Sequence, residues 1–198
     1  RFEVAGADPL DLYTRLRAAS PAPYAAYIES GERSILSSSP EQFLEVRGRR
    51  VVTRPIKGTR PRGRGEADER LGRELLASPK DDAELAMIVD LERNDLGRVC
   101  RAGTVRVRSF PALEAYATVF HLVATVTGEL RAGADAVDLL RAAFPGGSIT
   151  GCPKIRATQI LAELEGEARG PCFGAIGWVA HGGDLDLALA IRTLAFRG

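Results

Sequence analysis

The chain has 198 residues, a formal net charge of +1, 45% hydrophobic and 27% charged residues. That length supports one sizeable domain with a real core, and the composition is ordinary for a globular protein. Neither the charge balance nor the scattered basic residues suit nucleic acid as the main partner.

Asp8-Pro9 reads as an N-cap with proline at the first helical position, opening a helix to about Ser20. "YAAYIES" and "RSILSSS" read as strands around Gly31, and "QFLEVRG" and "RRVVTRP" repeat the pattern around Gly48. A charged, Arg/Gly-rich loop is expected next, then helices over about 66–77 and 80–96. Ser78 and Asp81 give the second of these capping-box character. "TVRVRSF" and "TVFHLVATVTGEL" are strands. Residues 135–143 form a helix, 144–151 a Gly-rich loop, and Pro153 opens a helix to about Glu165. "FGAIGWVAH" and "DLDLALAIRT" make a hairpin around Gly182-Gly183. Hairpins mixed with blocks of helices predict an α+β fold with antiparallel sheets. The three cysteines, Cys100, Cys152 and Cys172, have no metal spacing and fit a reducing, cytoplasmic setting. There is no apolar run of membrane-spanning length and no signal-peptide pattern. The chain opens on Arg1 and stops at Gly198 after a strand-like run, which reads as truncation at both ends.

Of 27 basic residues only three are lysine: Lys57, Lys80 and Lys154. Lys57 lies among Arg54, Arg60, Arg62 and Arg64 and beside Gly58, a turn candidate. Lysine can act as a nucleophile where arginine cannot, because burial and nearby cations disfavour an ammonium. It is a candidate nucleophile or a solvated surface residue, and the arginines suggest an anionic substrate. Asp81 and Glu84, three apart on one helix, offer two carboxylates to a hard cation such as Mg2+, or a solvated face. His121 shares the more polar face of its strand and is a site residue or a satisfied core histidine. "FPGGSITGCPKIR" runs a Gly-rich loop into a helix N-terminus and can offer N–H groups to an anion, or serve as a plain entry turn. Strand alternation places Arg192 with Asp186, Ala188 and Ala190, able to grip a carboxylate or to pair with Asp186.

The strings "SSPEQF", "RPIKGT", "ELAMIVDLERNDLGRVC", "FHLVATVTGEL", "AFPGGSITGCPKIRA", "GAIGW" and "IRT" come in one order over about residues 24–194. Together they resemble the aminodeoxychorismate synthase component I and anthranilate synthase component I family of chorismate-using enzymes. The resemblance implies a chorismate-binding catalytic domain, partial over residues 1–198. Anthranilate synthases usually carry alanine at the position of Lys57, and lysine there marks aminodeoxychorismate synthases. The implied reaction is amination of chorismate at C4 towards 4-aminobenzoate and folate, through a covalent lysine adduct. The ammonia would come from a glutamine amidotransferase partner. Glu41 would protonate the departing hydroxyl, and Gly58, Thr59 and Ser148 would contact substrate. His121 would lie beside the ring carboxylate and Arg192 would grip the enolpyruvyl carboxylate. Glu84, supported by Asp81, would bind Mg2+. The family continues past "IRT" into a helix whose further glutamates complete the metal site, and it usually carries an aromatic residue at Cys172 and tyrosine at Trp178. The alternatives are an anthranilate synthase component I, or a truncated copy without activity.

Overall fold

The computed structural model describes residues 6–197, with residues 1–5 and Gly198 outside the description. Helix α1 (Pro9–Ala19) begins where expected, with the Asp8 carboxylate accepting the N–H groups of Leu10 and Asp11. Strands β1 (Tyr24–Ser30) and β2 (Arg33–Ser39) form a hairpin across Gly31, whose φ of 57° suits glycine. Strand β10 (Thr193–Arg197) pairs with the other edge of β2 and closes a three-stranded antiparallel sheet.

The second, seven-stranded sheet holds the core. Strands β3 (Gln42–Arg47), β4 (Arg50–Arg54) and β7 (Val119–Glu129) follow one another antiparallel, and β6 (Arg106–Ala115) lies on the far edge of β7. Strands β8 (Ala175–Val179) and β9 (Leu185–Leu189) form the expected hairpin, and β9 pairs with β3. The sheet is covered by α2 (Glu66–Leu76), α3 (Pro79–Gly97) and α4 (Ala136–Ala143). Leu85, Val89 and Leu96 of α3 bury against Phe43, Leu44, Leu122, Val126 and Leu139. Truncating any one of these leucines to alanine costs about 2–5 kcal/mol. The Ser78 hydroxyl caps α3 by accepting from the Asp81 N–H at 3.3 Å.

The stretch expected as a charged loop begins instead with a strand, β5 (Ile56–Pro61). It continues β4 along the same edge of β7, and the Pro55 carbonyl between them accepts from the Ala124 N–H at 3.1 Å. Two prolines and Gly58 hide this strand in the sequence, and only an edge position tolerates them. Because β3 covers β4 and not β5, the β5 edge is left open beside the site. Gly58 is a bulge there and not a turn: with φ at +81° it lets β5 slip by one residue against β7. Thr59 therefore stands opposite His121.

A second correction concerns the end of β9. The strand stops at Leu189, and residues 190–192 cross from the large sheet to the small one. Arg192, at φ 49°, is the corner of that crossing, and its carbonyl accepts from the Ser38 N–H at 3.1 Å. Asp186 is not its partner; that carboxylate meets Arg47 and Gln42.

Candidate active site

The β5 edge, the corner at Arg192 and the 3-10 turn Gly147–Ile149 surround a cleft of about 480 Å³. Its lining includes Glu41, Lys57, Gly58, Thr59, His121, Ser148 and Arg192. Seven residues spread over 152 positions of sequence thus converge on one cavity. Lys57 Nζ donates to the Ser148 carbonyl at 2.8 Å. Lys57, Ser148 and Ile149 also line a neighbouring hollow of about 390 Å³ with Glu84, Met87 and Ile88, so the lysine stands between the two.

Glu41 is buried just ahead of β3 and accepts from the Ile56 N–H at 3.4 Å. Burial raises its pKa above the usual carboxylate range, against the opposing pull of Ser148, the Ile56 N–H, Lys57 and Arg192. The Ser148 hydroxyl is near enough to affect Glu41, yet it meets no partner at hydrogen-bonding geometry. His121 is buried, with Nδ1 2.9 Å from the Thr59 hydroxyl and the Tyr116 ring edge-on at 5.4 Å between centroids. Burial lowers its pKa, so the ring favours the neutral form, and its Nε2 is buried without a partner. Two unpaired polar atoms in one cavity are costly in an isolated protein.

The arginine cluster is not a free anion trap. Arg54 pairs with Glu114, Arg60 with Asp81 at 3.2 Å, and Arg62 with Asp68 at 2.6 Å. Arg64 is exposed. The cation turned into the cleft besides Lys57 is Arg192, whose pKa burial lowers while Glu41 opposes. The Gly-rich turn also differs from expectation, because the Gly147 N–H is occupied by the Glu92 carboxylate at 3.2 Å.

Asp81 and Glu84, the carboxylates expected at a metal, stand in different surroundings. Asp81 is buried, tied to Arg60 and packed under Gly58, while Glu84 is 44% exposed at its side chain and lies 3.7 Å from Lys80. Among the described residues no group of three or more His, Cys, Asp or Glu could hold a metal ion. Cys172 lies in a separate apolar groove with Phe144, Thr150, Leu161 and Phe173, and Trp178 is exposed with the Arg47 guanidinium over its ring.

Sequence reasoning missed a buried ionic cluster beneath the turn: Glu92, Asp95 and Lys154. The Lys154 ammonium pairs with Asp95 and also donates to the Ala143 carbonyl at 2.6 Å. Its signal was present, since Lys154 is another of the three lysines in an arginine-rich chain. Glu92 and Asp95 also sit three apart on the apolar face of α3.

The α+β scaffold thus holds a cleft lined by a lysine, a buried carboxyl, a buried imidazole and an arginine, the kind of concave polar setting in which small ligands bind. The sequence profile of the chorismate binding enzymes matches residues 1–198, and the chain belongs to that family. It is 49% identical over 191 residues to aminodeoxychorismate synthase component 1 of Bacillus subtilis, covering 96% of this chain and 41% of that protein. It is 47% identical over 191 residues to anthranilate synthase component 1 of Aquifex aeolicus, covering 96% of this chain and 39% of that one. The crystal structure of anthranilate synthase component I from Streptococcus pneumoniae superposes with a TM-score of 0.89 at 39% identity, over 99% of this chain and 43% of that one. The chain thus spans about 40% of the length of these relatives. Among the described residues no helix is long and apolar enough to cross a membrane.

Proposed function

We propose that this chain carries part of the active site of an aminodeoxychorismate synthase component I, aminating chorismate at C4. The observation that carries the reading is Lys57: a primary amine held at 2.8 Å on the Ser148 carbonyl, in the same cleft as the buried Glu41. In its neutral form the amine adds to the chorismate ring as the C4–O bond breaks. The hydroxyl takes the Glu41 proton and leaves as water. Ammonia then forms the C4–N bond, the lysine amine is expelled, and one proton of the added ammonia returns to the Glu41 carboxylate, so chorismate and ammonia give 4-amino-4-deoxychorismate and water. Splitting one displacement into two is the advantage of covalent catalysis. A carboxyl whose pKa is raised by burial is better suited to giving up that proton than an ordinary one.

Arg192 would grip one substrate carboxylate, while His121 Nε2, Thr59 and the Ser148 hydroxyl would meet other substrate oxygens. The ammonia would come from a glutamine amidotransferase partner. A Mg2+ ion would find one ligand in this chain, Glu84, and no step is assigned to it. The setting proposed is cytoplasmic.

The second reading is anthranilate synthase component I, favoured by relatives of that name at nearly the same identity as the first. The intact protein, given chorismate, ammonium and Mg2+, should yield aminodeoxychorismate by mass spectrometry. Anthranilate as product would replace this reading with the second, and no product at all would mark an inactive copy. Lys57→Arg, which keeps the charge but cannot attack carbon, should abolish amination; retention of full activity would sink the lysine mechanism.

A further inference from the structure

Beneath the cleft, α3 carries a buried carboxylate that the reaction above does not use. Glu92 is 2% exposed. Its Oε1 accepts the Gly147 N–H at 3.2 Å, and the Thr53 hydroxyl donates to Oε2 at 3.5 Å. The next residue of the turn, Ser148, presents its carbonyl to Lys57 Nζ at 2.8 Å. Gly147 is pressed onto α3, since a Cβ there would stand 2.8 Å from Leu91 Cδ2 and 2.9 Å from Glu92 Oε1. The turn therefore rests directly on this carboxylate, one residue away from the atom that holds the lysine.

We infer that Glu92 is a positioning residue: by holding the Gly147 N–H it seats the 147–149 turn, so that the Ser148 carbonyl fixes Lys57 Nζ in the cleft. The inference deepens the proposed reaction and rests on it for the role of Lys57, but the positioning can be measured without turnover.

The charged groups facing Glu92 are Lys154 from α5 (Lys154–Glu165), Asp95 one turn along α3, and Glu41 across the cleft floor. Burial pushes Glu92 up to about 7, with Asp95 and Glu41 in the same direction and Lys154 and the Gly147 N–H opposing. An ionised acceptor makes a hydrogen bond roughly twice as strong as a neutral one. The hold on the turn thus tightens as pH rises through about 7.

Competitive acylation with acetic anhydride tests this in the intact protein. Lys57, Lys80 and Lys154 fall in separate peptides bounded by arginines, and Lys80, 82% exposed at its side chain, is the internal reference. In the wild type the Lys57 to Lys80 labelling ratio falls as pH rises through about 7, because the turn is held more firmly. Glu92→Gln keeps the shape and the acceptor but cannot ionise. Its ratio should be flat with pH and roughly two- to tenfold above wild type at about pH 8, the worth of one hydrogen bond. Glu92→Ala should give at least as large a rise, and Glu92→Gln carries the test alone if that variant does not fold. A Glu92→Gln profile that superposes on the wild type overturns the inference. An altered profile in a protein that does not aminate chorismate sustains the positioning role and overturns the proposed reaction instead.

Discussion

At the scale of single residues, two buried carboxyls, Glu41 and Glu92, are shifted towards the protonated form. Glu41 is held above its usual pKa by burial, so at neutral pH a larger share of it carries the proton that the proposed reaction would draw on. The rate should therefore fall as pH rises through that raised pKa. In Glu41→Gln, turnover should drop about 10²–10⁴-fold and the descending limb of kcat against pH should vanish. A wild-type limb that survives the substitution would assign the proton to another group. Glu92 is shifted in the same sense, to about 7 from 4.5. The native state binds a proton that the unfolded chain has released, so the associated stability is full below about pH 4.5 and is lost as pH rises through about 7. The loss is about 3 kcal/mol. The wild-type Tm should fall between about pH 5 and 8, and Glu92→Gln should flatten that fall. An equal fall in both proteins would remove Glu92 as its source. Where the ionised form is less stable and yet holds the lysine more firmly, stability is given up for position.

At the scale of elements, the open edge strand β5 decides the site. A regular strand would set Gly58 opposite His121, and the bulge sets Thr59 there instead, 2.9 Å from the ring nitrogen. The bulge needs glycine twice over. Its φ is +81°, and a Cβ would meet Asp81 Cβ at 2.9 Å and Leu75 Cδ1 at 3.0 Å. Gly58→Ala should cost about 1–3 kcal/mol in denaturant unfolding and raise the KM for chorismate, because Thr59 and Lys57 move together. A variant with unchanged unfolding midpoint would show the strand to be more adaptable than this packing suggests. Helix α3 is the opposing wall. Its apolar face fills the core, and the carboxylates set into that face serve Arg60, the Gly147 turn and Lys154.

For the whole molecule, the two sheets and the helix layer meet around the cleft. Arg192 marks the crossing between sheets, and the Ser37 and Thr193 hydroxyls, 2.9 Å apart, join β2 to β10 just beyond it. Helix α5 is bound differently. It buries no residue, and Leu164 is 78% exposed. The Lys154–Asp95 pair, with side chains 11% and 3% exposed, ties its first turn to α3. Lys154→Met would remove the ammonium paired with the buried Asp95, at a cost of about 3–5 kcal/mol. Hydrogen exchange should then show loss of protection concentrated in α5 and the 147–149 turn, ahead of the sheet. Uniform loss across all elements would mean that α5 is held by something other than this pair.

Local order was legible in the chain itself. The Asp8 and Ser78 caps, the hairpins across Gly31 and Gly48 and the α+β class follow from periodicity and turn chemistry, which neighbours in sequence decide. The scarcity of lysine also singled out Lys57 before any contact was known. Pairings between distant residues were beyond that reach. Strand β5 was hidden because Gly58 and Pro61, with Pro55 just ahead of it, are poor strand formers, tolerated only where β7 supplies one partner edge. Alternation carried Arg192 onto a strand face because nothing in a two-residue period reports where a strand ends. The arginines looked like an anion trap until Glu114, Asp81 and Asp68 were found beside them. The sequence by itself determined which residue types were available for chemistry. Only the tertiary structure decided which of them are already spent on one another, because a charge or donor is free for substrate only when no partner from elsewhere in the chain has satisfied it first.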